Sequence, residues 1–303
     1  MAPFSIVVVT WQSAGDLLRL VESMNRHLDD GHELVVVDNA SSDDPAGSAG
    51  AWKGDRRFIA LDRNAGFGTA TNAGAEAARC PGVVLLNPDS ELVDSSLERL
   101  VELALTERVL AGPRLLNPDG SAQPSASGPP VGLWPWVGAL VPGAIQPPAV
   151  RARTEPWRLE TATRVAWLTG ACVAAPREVL RKLGPFDPAI HLYGEDMDLG
   201  LRAARAGVES WFRPDVSRVV HRGGASAAVL DVEDREHRVA SNRRAVLARA
   251  YGGRRETAAW LAQRANLRLR VLSKRALGRD ATRETATLRA ARRATTGRAL
   301  GPP

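Results

Sequence analysis

The chain has 303 residues with 40 basic and 34 acidic side chains, and its formal net charge is +6. Its 44% hydrophobic content can fill the core of one large or two modest domains, which excludes a wholly disordered or collagen-like protein. The two cysteines, Cys80 and Cys172, are far apart in sequence, which excludes a disulfide framework and a clustered thiolate metal site.

The first part of the chain alternates between strands and helices. Apolar runs rich in β-branched residues predict strands at 4–10, 33–38, 58–61, 82–86 and 109–112. Helical spacing of apolar residues predicts helices at 16–27, 70–78 and 97–106. This alternation indicates a parallel sheet covered on both faces, in which ligands bind beyond the carboxyl ends of the strands.

Polar and glycine residues follow four successive predicted strands. Thr10 follows the first, Asp38 the second, a glycine-rich run at 63–74 the third, and Asn87 and Asp89 the fourth. Each could merely form a turn or an N-cap, but together they predict a polar, ligand-binding crevice. The glycine run is not a dinucleotide fingerprint, because it does not follow the first strand and its glycines have a different spacing.

Residues 120–150 carry no charge and contain seven prolines. The prolines would break a membrane-spanning helix, so an irregular loop is expected there, with Trp134 and Trp136 exposed. The N-terminal residues have no basic stretch before their short apolar run, so no signal peptide is expected. Both observations favour a cytoplasmic protein.

The charge is unevenly distributed. Residues 238–303 carry 17 basic and 3 acidic side chains, a net charge of +14, and the preceding 237 residues have a net charge of −8. Helices are predicted at 238–251 and 257–277, and in the second a stripe of leucines and alanines through Leu261, Leu269 and Leu272 is flanked by arginines. That composition is typical of a helix on an anionic membrane surface, and the alternative is a helix packed on the body. Nucleic acid is not expected, because an aromatic platform and a binding motif are missing.

An ordered set of motifs resembles family 2 glycosyltransferases of the GT-A fold. The matching segments are VVVT at 7–10, VVDNASSD at 36–43, RNAGFGTATNAG at 63–74, LLNPD at 85–89, WLTGAC at 167–172, GPFD at 184–187, YGEDMDLGLR at 193–202 and VVHRGGAS at 219–226. Within the family, the NPD motif, the segment 112–121 and the ED motif are most similar to bacterial rhamnosyltransferases.

The resemblance implies a Rossmann-like, mostly parallel sheet with helices on both faces. It implies a GT-A domain at 1–230, divided into a nucleotide-sugar-binding half at 1–118 and an acceptor and catalytic half at 119–230. Residues 231–303 would then form a basic helical extension that lies outside the catalytic motifs.

The resemblance also assigns a donor site. A divalent cation, Mg²⁺ or Mn²⁺, would be bound by Asp89 and His221 and would stabilise the departing diphosphate. Asn87 replaces the first acid of the usual Asp-x-Asp motif, and an amide is a weak metal ligand. Asp38 would accept a hydrogen bond from the pyrimidine base, which does not distinguish UDP from dTDP. The other expected donor-site residues are Thr10, Arg63, Asn64, Gly66 and Asn72.

Acidic residues mark the catalytic side. In the resembled family the Asp of the Glu-Asp motif is the general base, so Asp196 is expected to take the acceptor proton, with Glu195 in support. Acids in a first helical turn also suit the helix dipole, which is the structural alternative. One carboxylate and one displacement imply inversion at the anomeric carbon. The residues expected to line the acceptor side are Trp167, Gly170 and Ala171.

The sequence therefore predicts an inverting, metal-dependent glycosyltransferase. The favoured donor is dTDP-L-rhamnose, and the favoured acceptor is a saccharide, free or linked to polyprenyl diphosphate, in cell-wall or surface polysaccharide synthesis. A UDP-hexose or UDP-galactofuranose is the alternative donor. A non-catalytic protein that binds sugar nucleotides or polyanions is the alternative of another class. The expected location is cytoplasmic or peripheral on the inner face of the cell membrane.

Overall fold

The computed structural model describes residues 2–223 and 232–294. The strands are β1 (Phe4–Thr10), β2 (Glu33–Asp38), β3 (Asp55–Ala60), β4 (Gly82–Leu86), β5 (Ser90–Leu92), β6 (Leu110–Gly112), β7 (Arg114–Leu116), β8 (Ala126–Ser127), β9 (Thr163–Val165), β10 (Trp167–Leu168), β11 (Cys172–Pro176), β12 (Ser210–Phe212) and β13 (Arg218–His221). The helices are α1 (Ala14–His27), α2 (Pro45–Gly50), α3 (Phe67–Ala77), α4 (Ser96–Glu107), α5 (Trp134–Leu140), α6 (Pro148–Thr154), α7 (Arg177–Leu183), α8 (Glu195–Arg205), α9 (Val232–Tyr251), α10 (Gly253–Ala276) and α11 (Thr282–Arg293).

A central sheet runs through the described residues in the order β3-β2-β1-β4-β11-β6-β12-β9. The first four strands in this order are parallel, β11 is antiparallel to both of its neighbours, and β6 and β12 are parallel. A smaller sheet, β5-β13-β7, lies beside it. The predicted mostly parallel sheet is confirmed.

The core follows from the alternation of side chains along buried strands. Ile6 and Val8 of β1 pack on one face of the sheet against α1 and α4. Val7 packs on the other face in a cluster that includes Val35 and the α8 residue Leu199. Successive side chains of a strand point to opposite faces, so both faces of an apolar strand need a covering layer of helices.

Three predicted strands, 4–10, 33–38 and 82–86, are confirmed residue for residue. The third prediction, 58–61, is displaced, since β3 begins at Asp55. β3 is an edge strand with alternating exposed residues, so Arg56 and Arg57 fit there without an apolar run.

The expectation of an irregular loop at 120–150 is wrong in part. The segment contains α5 and the start of α6, and both helices have a proline in the first turn, where its missing N–H breaks no helical bond. Trp134 and Trp136 are half-buried, not exposed. The Asn266 side chain of α10 donates to the carbonyl of Gly138 in α5 at 2.9 Å.

The C-terminal helices pack on the body of the protein. Val246 and Leu247 of α9 share a buried cluster with Trp167 and with Met197 of α8. α11, which the sequence analysis does not assign, packs against α9 and α10. The division of the chain at residue 230 falls outside the described residues and stays a prediction. No helix of the described residues combines the length and apolar character needed to cross a bilayer.

Gly74 provides a test of how tightly α3 packs on the sheet. A Cβ at this position would collide with Val7 and lie 3.0 Å from Val37 Cγ2, whereas a Cβ at Gly31 would meet nothing within 4 Å. We expect Gly74→Ala to lower the free energy of unfolding, because overpacking costs about 1–3 kcal/mol and outweighs the helix propensity gained. Gly31→Ala is the control and should leave the urea midpoint unchanged or slightly raised. Equal midpoints for both variants would contradict the close packing.

Candidate functional site

The crevice begins where β1, β2 and β4 end, and Asn39 organises it. The Asn39 side chain donates to Asn64 Oδ1 at 2.9 Å and accepts from the Ala65 N–H at 2.8 Å. Asn64 in turn accepts from the Gly66 N–H at 3.0 Å. One buried amide therefore fixes the glycine-rich loop to the end of β2, a role that the sequence analysis did not assign.

Gly66 brings this loop against the segment that precedes the Glu-Asp motif. Its φ is +87°, and a Cβ there would lie 2.5 Å from His191 Nδ1 and 2.8 Å from His191 O. The Phe67 N–H donates to the same carbonyl at 3.2 Å. Both the backbone conformation and the close approach require glycine. The structure thus gives Gly66 a packing role, and its nucleotide-binding role stays a prediction.

Asp38 and Thr10 lie at neighbouring strand ends. The Asp38 carboxylate accepts from the Ser41 N–H at 3.1 and 3.3 Å, which closes the turn after β2. Thr10 is fully buried, and its hydroxyl hydrogen-bonds the Ser13 hydroxyl at 2.9 Å. The structure thus gives Thr10 a contact within the turn after β1, and its predicted role in donor binding stays a prediction.

Asn72 joins the two halves of the chain. Its amide donates to the Phe186 carbonyl at 2.8 Å and accepts from the Phe186 N–H at 2.9 Å. These contacts use both ends of the amide and do not favour the predicted contact with a nucleotide. Arg63 is exposed at the start of the glycine-rich loop, and Asn64 is half-buried. Their predicted donor contacts remain untested.

Asp89 and His221 come together, although 132 residues separate them. His221 Nε2 is 3.2 Å from Asp89 Oδ1 and 3.3 Å from the amide nitrogen of Asn87. The other ring nitrogen, Nδ1, is 2.9 Å from Gln123 Oε1, and Gln123 also donates to the His221 carbonyl at 2.5 Å. Gln123 therefore fixes the orientation of the ring, as outer partners of metal-bound histidines do, and no sequence motif pointed to it.

The residues here fit a divalent cation of the Mg²⁺ or Mn²⁺ type. Asn87 Oδ1 is buried and has no hydrogen-bond partner in the described part of the chain, beside a carboxylate and an imidazole. The described ranges hold no cluster of three or more His, Cys, Asp or Glu able to bind a metal. The protein thus supplies a pair of strong ligands and an amide oxygen. Mg²⁺ commonly binds to few side chains and takes the remaining ligands from substrate phosphates and water.

Asp196 lies at the start of α8, and its carboxylate faces backbone amides. Asp196 Oδ1 accepts from the Met197 N–H at 2.7 Å, and the Gly170 backbone N–H also faces the carboxylate. A Cβ on Gly170 would lie 3.6 Å from Asp196 Cβ. Burial raises the pKa of Asp196 above its ordinary value, and the amides and the charge of Arg243 oppose that rise. A raised pKa makes the carboxylate a stronger base.

Glu195 is the most perturbed carboxyl group of the motif. It is 7% exposed, and its Oε2 has no hydrogen-bond partner among the described residues. Burial, and then the charge of Asp196, raise the pKa of Glu195 to about 8. Neighbouring carboxyl groups in a buried site resist ionising together, and a pKa of about 8 leaves Glu195 mostly protonated at neutral pH.

Asp198 belongs to the scaffold. It forms ion pairs with Arg202 in the same helix and with Arg249 of α9, both at 2.6 Å. Arg249 also binds Asp187 of the GPFD segment at 2.6 Å. The third acid of the first turn therefore connects α8 to α9 and to the preceding loop.

The predicted lining residues connect the two sides of the crevice. The Asn87 N–H donates to the Ala171 carbonyl at 2.9 Å, so the end of β4 lies next to the segment that carries Gly170. Ala171 is buried, and Trp167 is 9% exposed in the cluster under α9. Gly170 thus contacts the candidate base, whereas most of the Trp167 ring contributes to the core.

Asn242 of α9 holds the loop in front of the motif. Its fully buried side chain donates to the carbonyls of Leu192 and Tyr193 at 3.0 and 2.9 Å. Tyr193 and Gly194 have φ values of +69° and +99°, and non-glycine residues adopt such values at a cost. A residue of the C-terminal extension therefore stabilises the turn that starts α8. The extension therefore contacts the Tyr-Gly-Glu-Asp motif, although its own sequence contains none of the catalytic motifs.

The chain belongs to glycosyl transferase family 2, whose family model matches residues 5–131. An N-acetylglucosaminyl-diphospho-decaprenol L-rhamnosyltransferase of Mycobacterium tuberculosis is 29% identical over 235 residues, which cover 72% of this chain and 75% of that protein. An uncharacterised glycosyltransferase of Mycobacterium tuberculosis is 31% identical over 201 residues, which cover 65% of this chain and 78% of that protein. The protein is a glycosyltransferase.

The fold is also found in solved glycosyltransferases. Mannosyltransferase PcManGT from Pyrobaculum calidifontis, in complex with GDP-Man and Mn²⁺, aligns with a TM-score of 0.60 and 17% identity. The alignment covers 95% of this chain and 85% of that one. The predicted GT-A fold is confirmed.

The raised pKa of Glu195 predicts a pH-dependent stability difference. The folded protein keeps the Glu195 proton up to a pH of about 8, whereas an unfolded glutamic acid releases it near 4.5, so ionisation in this range favours unfolding. Relative to Glu195→Gln, the wild type should lose stability as the pH rises from 5.5 to 8.5. Melting temperatures of both proteins across this range provide the measurement. A difference that does not change with pH would refute the perturbed carboxyl.

Proposed function

We propose that the protein is an inverting glycosyltransferase that transfers L-rhamnose from dTDP-L-rhamnose to a saccharide, most suitably one linked to polyprenyl diphosphate. The product would serve cell-wall or surface polysaccharide synthesis. The observation that carries the reaction type is the position of the Asp196 carboxyl group, which lies next to Gly170, while the adjacent Ala171 accepts a hydrogen bond from Asn87 at the end of β4. The likeness to a mycobacterial rhamnosyltransferase supports the choice of donor and acceptor.

The donor would bind at the carboxyl ends of the parallel strands. Asp89 and His221, supported by Asn87, would hold Mg²⁺ or Mn²⁺, which when bound neutralises charge on the leaving diphosphate. Gln123 keeps the imidazole in place, so His221 does not have to reorganise when the donor arrives. The glycine-rich loop, which Asn39 holds at the end of β2, would line the nucleotide site on that side.

Transfer requires that the acceptor hydroxyl lose a proton as it attacks. Asp196 would accept this proton while the acceptor oxygen bonds to the anomeric carbon and the carbon–oxygen bond to the diphosphate breaks. Burial raises the pKa of Asp196, which makes its carboxylate a stronger base for this step. Glu195, when protonated, would add no second negative charge beside Asp196 and would support the position of Asp196 in the first turn of α8.

Two alternatives differ from this proposal in measurable ways. A UDP-hexose or UDP-galactofuranose transferase would turn over those donors in preference to dTDP-L-rhamnose. A non-catalytic sugar-nucleotide or polyanion-binding protein would bind donors with Mn²⁺ present and turn over none. Incubation of the purified chain with each donor, a polyprenyl-diphosphate N-acetylglucosaminide and Mn²⁺ separates the three outcomes.

Asp196 and Asp198 form a matched pair for testing the base. Asp196→Asn should lower kcat by roughly 10²–10⁴-fold and leave the donor Kd unchanged, because general-base catalysis contributes about this much. Asp198→Asn should lower the free energy of unfolding by about 1–3 kcal/mol, since it weakens charged hydrogen bonds to Arg202 and Arg249, and should retain kcat within a few-fold. Near wild-type turnover by Asp196→Asn would reject the assignment.

We further propose that the outer face of α10 rests on an anionic membrane, where a lipid-linked acceptor would be found. Ala259, Ala262 and Val271 are buried against the protein. Leu269 and Leu272 of the same helix are exposed by 44% and 63%, next to exposed arginines such as Arg268 and Arg275. Apolar side chains flanked by cations bind anionic lipid surfaces.

Liposome co-sedimentation tests this surface. The wild type should bind vesicles that contain phosphatidylglycerol more strongly than vesicles of phosphatidylcholine alone. A Leu269→Gln, Leu272→Gln double variant should lose most of this binding without a change in melting temperature, because both side chains are exposed. Leu18→Gln, at an exposed leucine of α1, is the matched control. Equal binding by the wild type and the double variant would reject the lipid surface.

A further inference from the structure

Arg243 of α9 lies beside the Glu-Asp motif and interacts with Asp196 through its charge. Its guanidinium carbon lies 5.8 Å from the centre of the Trp167 ring, over the ring face. Its backbone nitrogen would lie 3.9 Å from a Cβ on Gly194, the residue directly before the Glu-Asp motif. The neighbouring Asn242 is the residue that holds the Tyr193 turn, so the position of Arg243 is fixed by buried contacts on the same turn of helix.

Arg243 forms no direct ion pair within the described residues. Asp196 and Arg243 interact through their charges, but the two side chains form no ion pair or hydrogen bond in the described ranges. Other arginines of α9 do form such pairs: Arg244 binds Glu256 and Arg249 binds Asp198. Burial lowers the pKa of Arg243, and the charge of Asp196 opposes that change.

Arg243 lies on the side of the site where the acceptor would bind. The leaving diphosphate lies on the side of Asp89 and His221, whereas a general base must lie on the opposite face of the anomeric carbon, with the acceptor. Arg243 contacts Trp167 and Gly194, which belong to the base side. A planar guanidinium there suits a phosphate group, which it can bind through two parallel hydrogen bonds.

We propose that Arg243 binds the phosphate attached to the acceptor sugar and so selects acceptors linked to diphosphate over neutral glycosides. This assignment rests on the proposed glycosyl transfer to a diphosphate-linked saccharide. The C-terminal extension would then contribute a specificity-determining residue to the site, in addition to the turn that Asn242 supports.

Direct binding tests the assignment independently of turnover. With the donor site saturated by dTDP and Mn²⁺, calorimetry should show that farnesyl diphosphate binds wild type and that Arg243→Gln weakens this binding about 10- to 100-fold, as for the loss of charged hydrogen bonds. Arg243→Lys should retain part of the affinity. Arg254→Gln removes the same charge at an exposed position of α10 and should bind like the wild type. Unchanged affinity in Arg243→Gln, or equal loss in Arg254→Gln, would overturn the proposal.

Kinetics then distinguish phosphate binding from an effect on Asp196. Arg243→Gln should raise the KM of a diphosphate-linked N-acetylglucosaminide by the same factor and leave the donor KM unchanged. Transfer to octyl N-acetylglucosaminide should keep its kcat/KM at the pH optimum. Because the charge of Arg243 opposes the rise in the pKa of Asp196, the pH profile of Arg243→Gln should move to higher pH with both acceptors. An equal loss of kcat/KM with both acceptors at the optimum would mean that Arg243 acts on the base and would overturn the proposal. Absence of transfer by the wild type would reject the proposed function, while the calorimetric result would still decide the anion site.

Discussion

The pairing of β11 with β4 is the interaction on which the site depends. The strands are antiparallel with Cys172 opposite Leu86, so the chain that precedes β11 arrives beside the residues that follow β4. The Asn87–Ala171 hydrogen bond extends this pairing by one step, and Gly170 then contacts Asp196. One continuous sheet therefore spans both halves of the chain. Strand register, and not a linker between two bodies, sets the separation of the candidate cation ligands from the candidate base.

Strand register also explains which parts of the fold the sequence predicts. β1, β2 and β4 are buried on both faces, so their apolar runs have clear ends and were predicted to the residue. β3 lies at the sheet edge, where polar side chains reach solvent, and its first residues carry no apolar pattern. The short α5 and α6 were obscured by prolines that act as helix starts in the structure. Local patterns report burial, and they fail where an element is half-exposed or short.

The candidate site is also predicted from the sequence only in part. Asp38, Asn87 and Asp89 could be located from sequence because parallel strands bring their carboxyl ends to one edge. The residues that hold the site in shape could not: Gln123 reaches His221 across 98 positions, and Asn242 reaches Tyr193 across 49. Each is a common polar residue without a local motif, and only the tertiary structure provides its partner. Asn72 illustrates the converse, since it lies in a recognisable motif and yet binds the backbone of Phe186.

The contacts of the C-terminal helices show which of their arginines pair with acidic residues of the protein. Arg249 of α9 pairs with Asp187 and Asp198. Part of the positive charge of the basic extension is therefore neutralised by acidic side chains of the body. Composition cannot distinguish arginines that pair within the protein from arginines that bind an external anion, because both give the same count of charges. The positions of the arginines in the structure distinguish them. The arginines beside the exposed leucines of α10 face solvent, whereas Arg243 lies over the Trp167 ring next to the Glu-Asp motif. The two proposed anionic partners, a lipid surface and an acceptor phosphate, would therefore meet different positions of the same helical extension.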